Sequence, residues 1–388
     1  LAFADKEYRP QMSWMTKAVL FFTGAVLLAD IFGVNAYKSI WSNYERMEGF
    51  VLIAHLAMFY IVSSSVLNSQ SKWFQFFNVS IFASAMMSVY GLFQVFGAVT
   101  INQGGTRVDA TLGNATYLAI YLVFHIFLCL YLLIDSAKPI WQRWSYACVG
   151  LLNLIILYFT ATRGAILGLI GGLLLAGLIV LFKERDNAFI RKSAYVVMGL
   201  VLIVITGFFS IKNTDFAKNN QVLGRFSSLG FAEIKTQGRY FVWPMAIEGF
   251  QENPILGWGQ ENFNYVFNKN YDPRMHSQEQ WFDRTHDIFL DWLIAGGLVG
   301  LLSYLSLYVA LLYYIWRKES TLKVTEKGIL TGLIAAYIFH NIFVFDNLIS
   351  YIVFFSLLGF IHSINVSRMD ETESSGFYTK TFSQDAVN

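Results

Sequence analysis

Charge is what this chain has least of. Of its 388 residues only 14% are Asp, Glu, Lys or Arg, against 55% hydrophobic and 17% aromatic. That is too little polar surface to cover a water-soluble globule of this length. A soluble fold is excluded, and a polytopic membrane protein remains. The formal net charge is +2, and the basic residues are dispersed rather than gathered into a stripe, so no nucleic acid is expected as a partner. Cysteine is nearly missing as well. Cys129 and Cys148 both fall inside apolar runs, where they read as small buried hydrophobes. They report no redox compartment and can build neither a disulfide framework nor a metal site. No cleavable signal peptide is visible, and the first apolar run reads as a membrane anchor. The start at Leu1 fits a fragment or a processed chain, and no internal repeat recurs at a fixed period.

What is present is a series of apolar windows, each long enough to cross a hydrocarbon core of about 30 Å. They lie near residues 14–34, 50–68, 73–97, 115–134, 144–161, 164–182, 193–210, 286–316, 328–345 and 348–365. The fold class expected is therefore all-α, a polytopic transmembrane helical bundle of about ten spans. Its parts would be N-terminal transmembrane helices at 1–210, an extracytoplasmic loop at 211–285, C-terminal transmembrane helices at 286–365 and a tail at 366–388. An even count puts both termini on one side. Lys17, Lys72, Lys138, Arg143, Lys183, Arg185, Arg191, Lys192, Arg317, Lys318, Lys323 and Lys327 share that side, whereas the short loops opposite hold only Lys38, Arg46, Arg107 and Arg163. The side rich in Lys and Arg is cytoplasmic by the positive-inside rule. Both termini are thus expected in the cytoplasm and the long loop outside. The tail, with Asp370-Glu371-Thr372-Glu373, is polar enough to read as disordered or as a linker.

The outward face collects the polar groups. It receives Glu45-Arg46-Met47-Glu48, Arg107, the Gly113-Asn114 turn, Thr162-Arg163-Gly164 and then the long loop. That loop holds eight basic residues (Lys212, Lys218, Arg225, Lys235, Arg239, Lys269, Arg274, Arg284) and eight acidic ones (Asp215, Glu233, Glu248, Glu252, Glu261, Asp272, Glu279, Asp283). Being neutral, it can hold an anion only with placed arginines. Tyr240, Trp243, Ile247 and Phe250 recur at helical spacing, with Pro244 expected within tolerance of a first turn. This predicts a short amphipathic helix whose aromatic face lies in the headgroup layer. Asn253-Pro254 ends it, and Gly257-Trp258-Gly259 makes an aromatic turn.

Several runs in this half resemble one known family. Gly238-Arg239-Tyr240-Phe241-Val242-Trp243, Asn253-Pro254-Ile255-Leu256-Gly257-Trp258-Gly259, Thr285-His286-Asp287-Ile288-Phe289-Leu290 and Gly296-Gly297-Leu298-Val299-Gly300 look in this order like the O-antigen ligase and polymerase family. Thr162-Arg163-Gly164-Ala165 resembles its arginine-glycine signature, and Tyr44-Glu45-Arg46 and Thr111-Leu112-Gly113-Asn114 are weaker echoes. Asp287 departs from the asparagine more frequent there, and the spans are fewer than its ligases usually carry.

The resemblance implies a glycosyltransferase of the bacterial inner membrane. It would take a glycan from an undecaprenyl-diphosphate carrier and join it to an acceptor hydroxyl on the outer face. Its partners would be that polyprenyl-diphosphate-linked donor, a glycan, lipid or protein acceptor, and membrane lipid. Charge that builds on a leaving diphosphate can be met by arginines, which carry forked, permanent donors. No cofactor and no metal are expected, since His276 and Glu279 alone would make a poor cage. The candidate catalytic residues are His286 as the base that takes the acceptor proton, Arg239 and Arg163. Arg284, Arg46, Arg107, Trp243, Trp258 and Asp287 are candidate substrate-binding residues, with Asp287 placed to tune the His286 ring through a hydrogen bond.

Each residue also has a plainer reading. Arg163 could anchor a helix end in the headgroups, and Arg239 and Arg284 could pair with Glu233 and Asp283 as solvated loop charges. Arg46 beside Glu45 and Glu48 could be a local charge cluster, and His286 a neighbour of a helix cap. His125 and His340 could hydrogen-bond across helices, and the glycines from Gly164 to Gly177 read as close helix packing. A polymerase or a protein O-oligosaccharyltransferase would share the donor chemistry. A transporter or flippase of a lipid-linked sugar is the alternative from a different class.

Overall fold

A computed structural model describes residues 8–44, 46–135, 137–227, 237–277 and 279–384, with the backbone alone at Ser277 and at 367–384. Glu45 and Glu233, weighed above as charge partners, lie outside the described residues. Among those described there are helices and no strand. In chain order they are α1 (Trp14–Ile31), α2 (Ala36–Trp41), α3 (Phe50–Val66), α4 (Gln70–Val95), α5 (Ala115–Leu133), α6 (Ile140–Phe159), α7 (Arg163–Lys183), α8 (Ala188–Ile211), α9 (Asp215–Asn219), α10 (Leu223–Ser227), α11 (Gly238–Glu252), α12 (Phe263–Lys269), α13 (Ile288–Trp316), α14 (Val324–Asn341) and α15 (Leu348–Gln384).

Each of the ten apolar windows falls on a helix. Seven of these helices are long and apolar enough to cross a membrane, namely α1, α4, α5, α7, α8, α13 and the Leu348–Val366 part of α15. The shorter α3 is apolar too, while α6 and α14 do not reach that measure. Among the described residues the protein is thus all-helical and multi-pass, with seven helices of that length and hydropathy, and three of the ten windows lie on helices that fall short of it. The two weaker helices are held by packing: α14 lies against α7 and α6 against α5. The last helix continues to Gln384, across the polar tail that composition suggested as a linker.

The glycines of α7 explain its fit to α14. A Cβ on Gly168 would stand 2.7 Å from the Ala336 carbonyl oxygen, and one on Gly172 would strike the Gly332 carbonyl, so the two backbones touch. Gly171, between them, faces open space. His125 bonds across helices as expected, its Nε2 lying 2.7 Å from Ser80 Oγ. Cys129 is buried, but Cys148 is on the outside of α6.

The bundle has two chemically distinct ends. At one, Lys183 and Lys327 lie 4.7 and 5.8 Å above the Trp316 ring, and Arg317 donates to Asn365. At the other, the long loop folds on a core of its own, in which Val242, Met245 and Ala246 of α11 meet Trp258, Val266, Phe267, Met275 and Phe282. The expected aromatic stripe of α11 is divided: Tyr240 and Ile247 are exposed, but Phe250 packs on this core and Trp243 donates to the Thr285 carbonyl, so no continuous aromatic face is left for headgroups. Pro244 is seven residues into α11, past the first turn, so one hydrogen bond inside the helix is lost.

Hydropathy reads α13 as one rod, but it breaks at Gly297 (φ 60°, ψ −156°). The freed backbone groups are met by the preceding loop. Trp258 N–H donates to the Ile294 carbonyl (2.8 Å) and Gly259 N–H to that of Ala295 (2.9 Å), while Leu298 and Val299 N–H donate to Pro254 (2.8 Å) and Ile255 (3.2 Å). Gly257 also has positive φ, 66°, and a side chain on it would collide with the Gly297 backbone. The two glycine-bearing runs are therefore halves of one backbone joint.

Candidate functional site

Four short stretches converge at the loop end of the bundle: residues 46–48, the Arg107 segment, the start of α7, and residues 281–291. Thr162 precedes α7, and Arg107 Nη2 donates to its hydroxyl (2.9 Å) while Nε donates to the Thr160 carbonyl (2.9 Å). Arg163, the first residue of α7, donates through Nη1 to the Arg225 carbonyl on α10 (3.1 Å). Burial pushes the Arg107 guanidinium down to about 10, helped by the like charges of Arg225 and Arg163. The same burial and the charge of Arg163 lower Arg239, against a weaker pull from Asp287. Arg107, Arg163, Arg225 and Arg239 thus form one electropositive group. Arg239 Nε is buried without a hydrogen-bond partner among the described residues. A buried charged donor left unpaired costs free energy, and an anion seated there would offset that cost.

His286 borders this group. Its Nδ1 lies 3.3 Å from the Arg284 carbonyl oxygen. That oxygen can only accept, so the ring proton belongs on Nδ1 and Nε2 keeps its lone pair. The ring stands edge-on between Phe282 (5.5 Å) and Phe345 (5.3 Å). Burial, and then the charge of Arg239, pushes its pKa down to about 4. The ring is neutral at physiological pH, as a base must be. Asp287 does not serve the ring as expected. Its carboxylate caps α13, accepting from the N–H groups of Phe289 (2.9 Å) and Leu290 (3.2 Å).

The other arginines have fixed partners. Arg46 grips Asp283 with two bonds, Nε to Oδ2 at 2.6 Å and Nη2 to Oδ1 at 2.9 Å, and lies over the Phe345 ring at 4.6 Å. Arg284 donates to Glu48 (2.9 Å) and to Glu261, in place of the Asp283 pairing weighed above. Burial holds Glu48 up at about 7, even with Arg284 beside it. Both arginines lace the segment around residues 46–48 to the one carrying His286. Trp243 Nε1 donates to the Thr285 carbonyl (3.1 Å), tying α11 to the same segment. Trp258 is buried in the loop core with its Nε1 on the Gly249 carbonyl (2.8 Å), away from the arginine group.

Sequence reasoning therefore brought Arg163, Arg239, Arg107 and His286 together. It missed Arg225, Glu48, Glu261 and Phe345 as neighbours because they come from separate parts of the chain, and Thr285 and Asp291, though close to His286 in sequence, because their bonds depend on the backbone path.

Residues 147–305 match the O-antigen ligase family model. The resemblance read from the motifs holds over that segment, which carries Arg163, Arg225, Arg239 and His286 and leaves Arg46 and Arg107 outside. Likeness to the O-antigen ligase family over that segment suggests a membrane glycosyltransferase-like function, with glycans and lipid-linked substrates in general terms. No curated protein matches the chain. Among the described residues no three or more His, Cys, Asp or Glu are grouped to hold a metal ion.

Proposed function

We propose that the protein is a glycosyltransferase of the O-antigen ligase type in the bacterial inner membrane. It transfers a glycan from an undecaprenyl-diphosphate carrier to an acceptor hydroxyl on the outer face, without a metal. One observation carries the reading: Arg239 has a buried Nε with no partner among the described residues, and its charge acts on Arg163 on one side and on His286 on the other. An anion seated there meets several fixed cations, and an acceptor beside it meets a neutral base.

The chemistry follows from that order. His286 Nε2 takes the proton of the acceptor hydroxyl as its oxygen attacks the anomeric carbon of the donor sugar. The bond from that carbon to the diphosphate oxygen breaks, and the electron pair leaves with the diphosphate. Arg239, Arg163, Arg107 and Arg225 neutralise the growing charge. Arg46 and Arg284, engaged with carboxylates, hold the frame.

The test is to incubate purified protein with a polyprenyl-diphosphate glycan and candidate acceptors in the presence of a chelator, and to weigh the product by mass spectrometry. A product heavier than the acceptor by one glycan is expected. Transport of the donor between leaflets without such a product would favour the flippase, and inhibition by the chelator that Mg²⁺ or Mn²⁺ reverses would overturn the metal-independent reading.

A further inference from the structure

His286 has a φ of 59°, in the left-handed region that residues with a side chain seldom adopt. Something must hold it there, and its neighbours show how. Every polar atom of Thr285 is bonded. Its N–H donates to Asp291 Oδ1 (2.7 Å), and its carbonyl accepts from Trp243 Nε1 (3.1 Å). Its hydroxyl accepts from the Asp287 N–H (3.2 Å) and has two acceptors for its one proton, Asp291 Oδ1 at 2.8 Å and the Asp287 carbonyl at 2.9 Å. Residues 285 and 287 are thus tied to each other around His286, and Asp291, buried one turn inside α13, anchors the knot.

We propose that Thr285 and Asp291 are positioning residues: they hold His286 in its left-handed backbone conformation, so that Nδ1 rests on the Arg284 carbonyl and Nε2 stays free. The inference rests on the reading of His286 as the base. Neither residue touches substrate. Their effect is to make one ring orientation and one tautomer permanent before the acceptor arrives.

The experiment compares Thr285→Val, which keeps the shape but removes the hydroxyl, with Thr285→Ser, which keeps it. Asp291→Ala removes the anchor from the other side, and His286→Ala is the reference. All are checked for folding by size-exclusion chromatography. Turnover is measured with a polyprenyl-diphosphate glycan, and the imidazole ¹⁵N spectrum is recorded on histidine-labelled protein, with the His286 signals found by their loss in His286→Ala. Misplacing a reacting group by about an ångström costs on the order of a hundredfold. Thr285→Val should therefore lower kcat by roughly tenfold to a hundredfold with the donor KM changed less than about threefold. Its His286 signals should lose the Nδ1–H pattern, and Thr285→Ser should restore both. Asp291→Ala should repeat the Thr285→Val loss. Wild-type kcat and an unchanged tautomer in folded Thr285→Val, or a loss that Thr285→Ser does not restore, would overturn the proposal. If His286→Ala keeps full turnover, the base reading falls, while the ¹⁵N spectrum of Thr285→Val still decides the tether.

Discussion

Arg239→Met should make this protein more stable and less active at once. The arginine is half-buried, its Nε has no partner among the described residues, and its nearest strong influence there is the like charge of Arg163. An unsatisfied buried donor costs about 1–3 kcal/mol, more if charged. Because the head of the side chain keeps some solvent and Asp287 offsets part of the repulsion, the lower end applies, and removing it should gain about 1 kcal/mol. Methionine keeps much of the packed stem. Transfer moves the opposite way, since loss of one donor aimed at developing charge costs about a hundredfold to a thousandfold in kcat, or roughly 3–4 kcal/mol of barrier. The assay is thermal unfolding in detergent, with and without undecaprenyl diphosphate, beside turnover on the lipid-linked glycan. In the wild type that ligand at a hundred times its Kd adds about 2.7 kcal/mol, and the variant should lose most of this gain. A lower Tm with turnover intact would refute the reasoning and make Arg239 an ordinary structural side chain.

Three further outcomes are expected. Because burial and Arg239 push His286 down to about 4, the base is competent above that pH and lost as pH falls through it; kcat/KM should stay flat from neutrality to about pH 5, and an acid limb near pH 6–7 would contradict this. For topology, with Cys148→Ala removing the exposed native thiol, a cysteine at Asn219 should react with an impermeant reagent on intact cells and one at Thr321 should not; the reverse pattern would turn the site to the cytoplasm. Gly172→Leu should destabilise by about 1–3 kcal/mol through overpacking against α14, whereas Gly171→Ala, facing open space, should unfold at the wild-type temperature; equal behaviour of the two would remove the packing role.

The apolar windows were legible because side-chain hydropathy is a local property, and each of the ten landed on a helix. Arg163, Arg239 and His286 were legible through their surrounding motifs. Partner choice was not. Arg46 and Asp283 are separated by 237 residues, and nothing near either shows that they meet. Arg284 looked as available for a diphosphate as Arg239, yet two buried carboxylates occupy it. Trp258 was a candidate for substrate binding and is a core residue. Asp287 next to His286 in sequence points its oxygens into the helix end, because backbone direction at a cap decides where a side chain goes.

The break in α13 bears on how the protein is made. Gly297 sits nine residues into the helix, about 14 Å along its axis at 1.5 Å per residue. Left without the 254–259 loop, the carbonyls of Ile294 and Ala295 and the N–H groups of Leu298 and Val299 would face lipid, at several kcal/mol each. During synthesis the loop emerges before the helix it repairs. It must therefore wait undocked until α13 follows, so insertion and loop docking become one event. A chain with the loop deleted should be caught by quality-control proteases as a membrane-folding failure rather than persist as an inactive, well-inserted bundle.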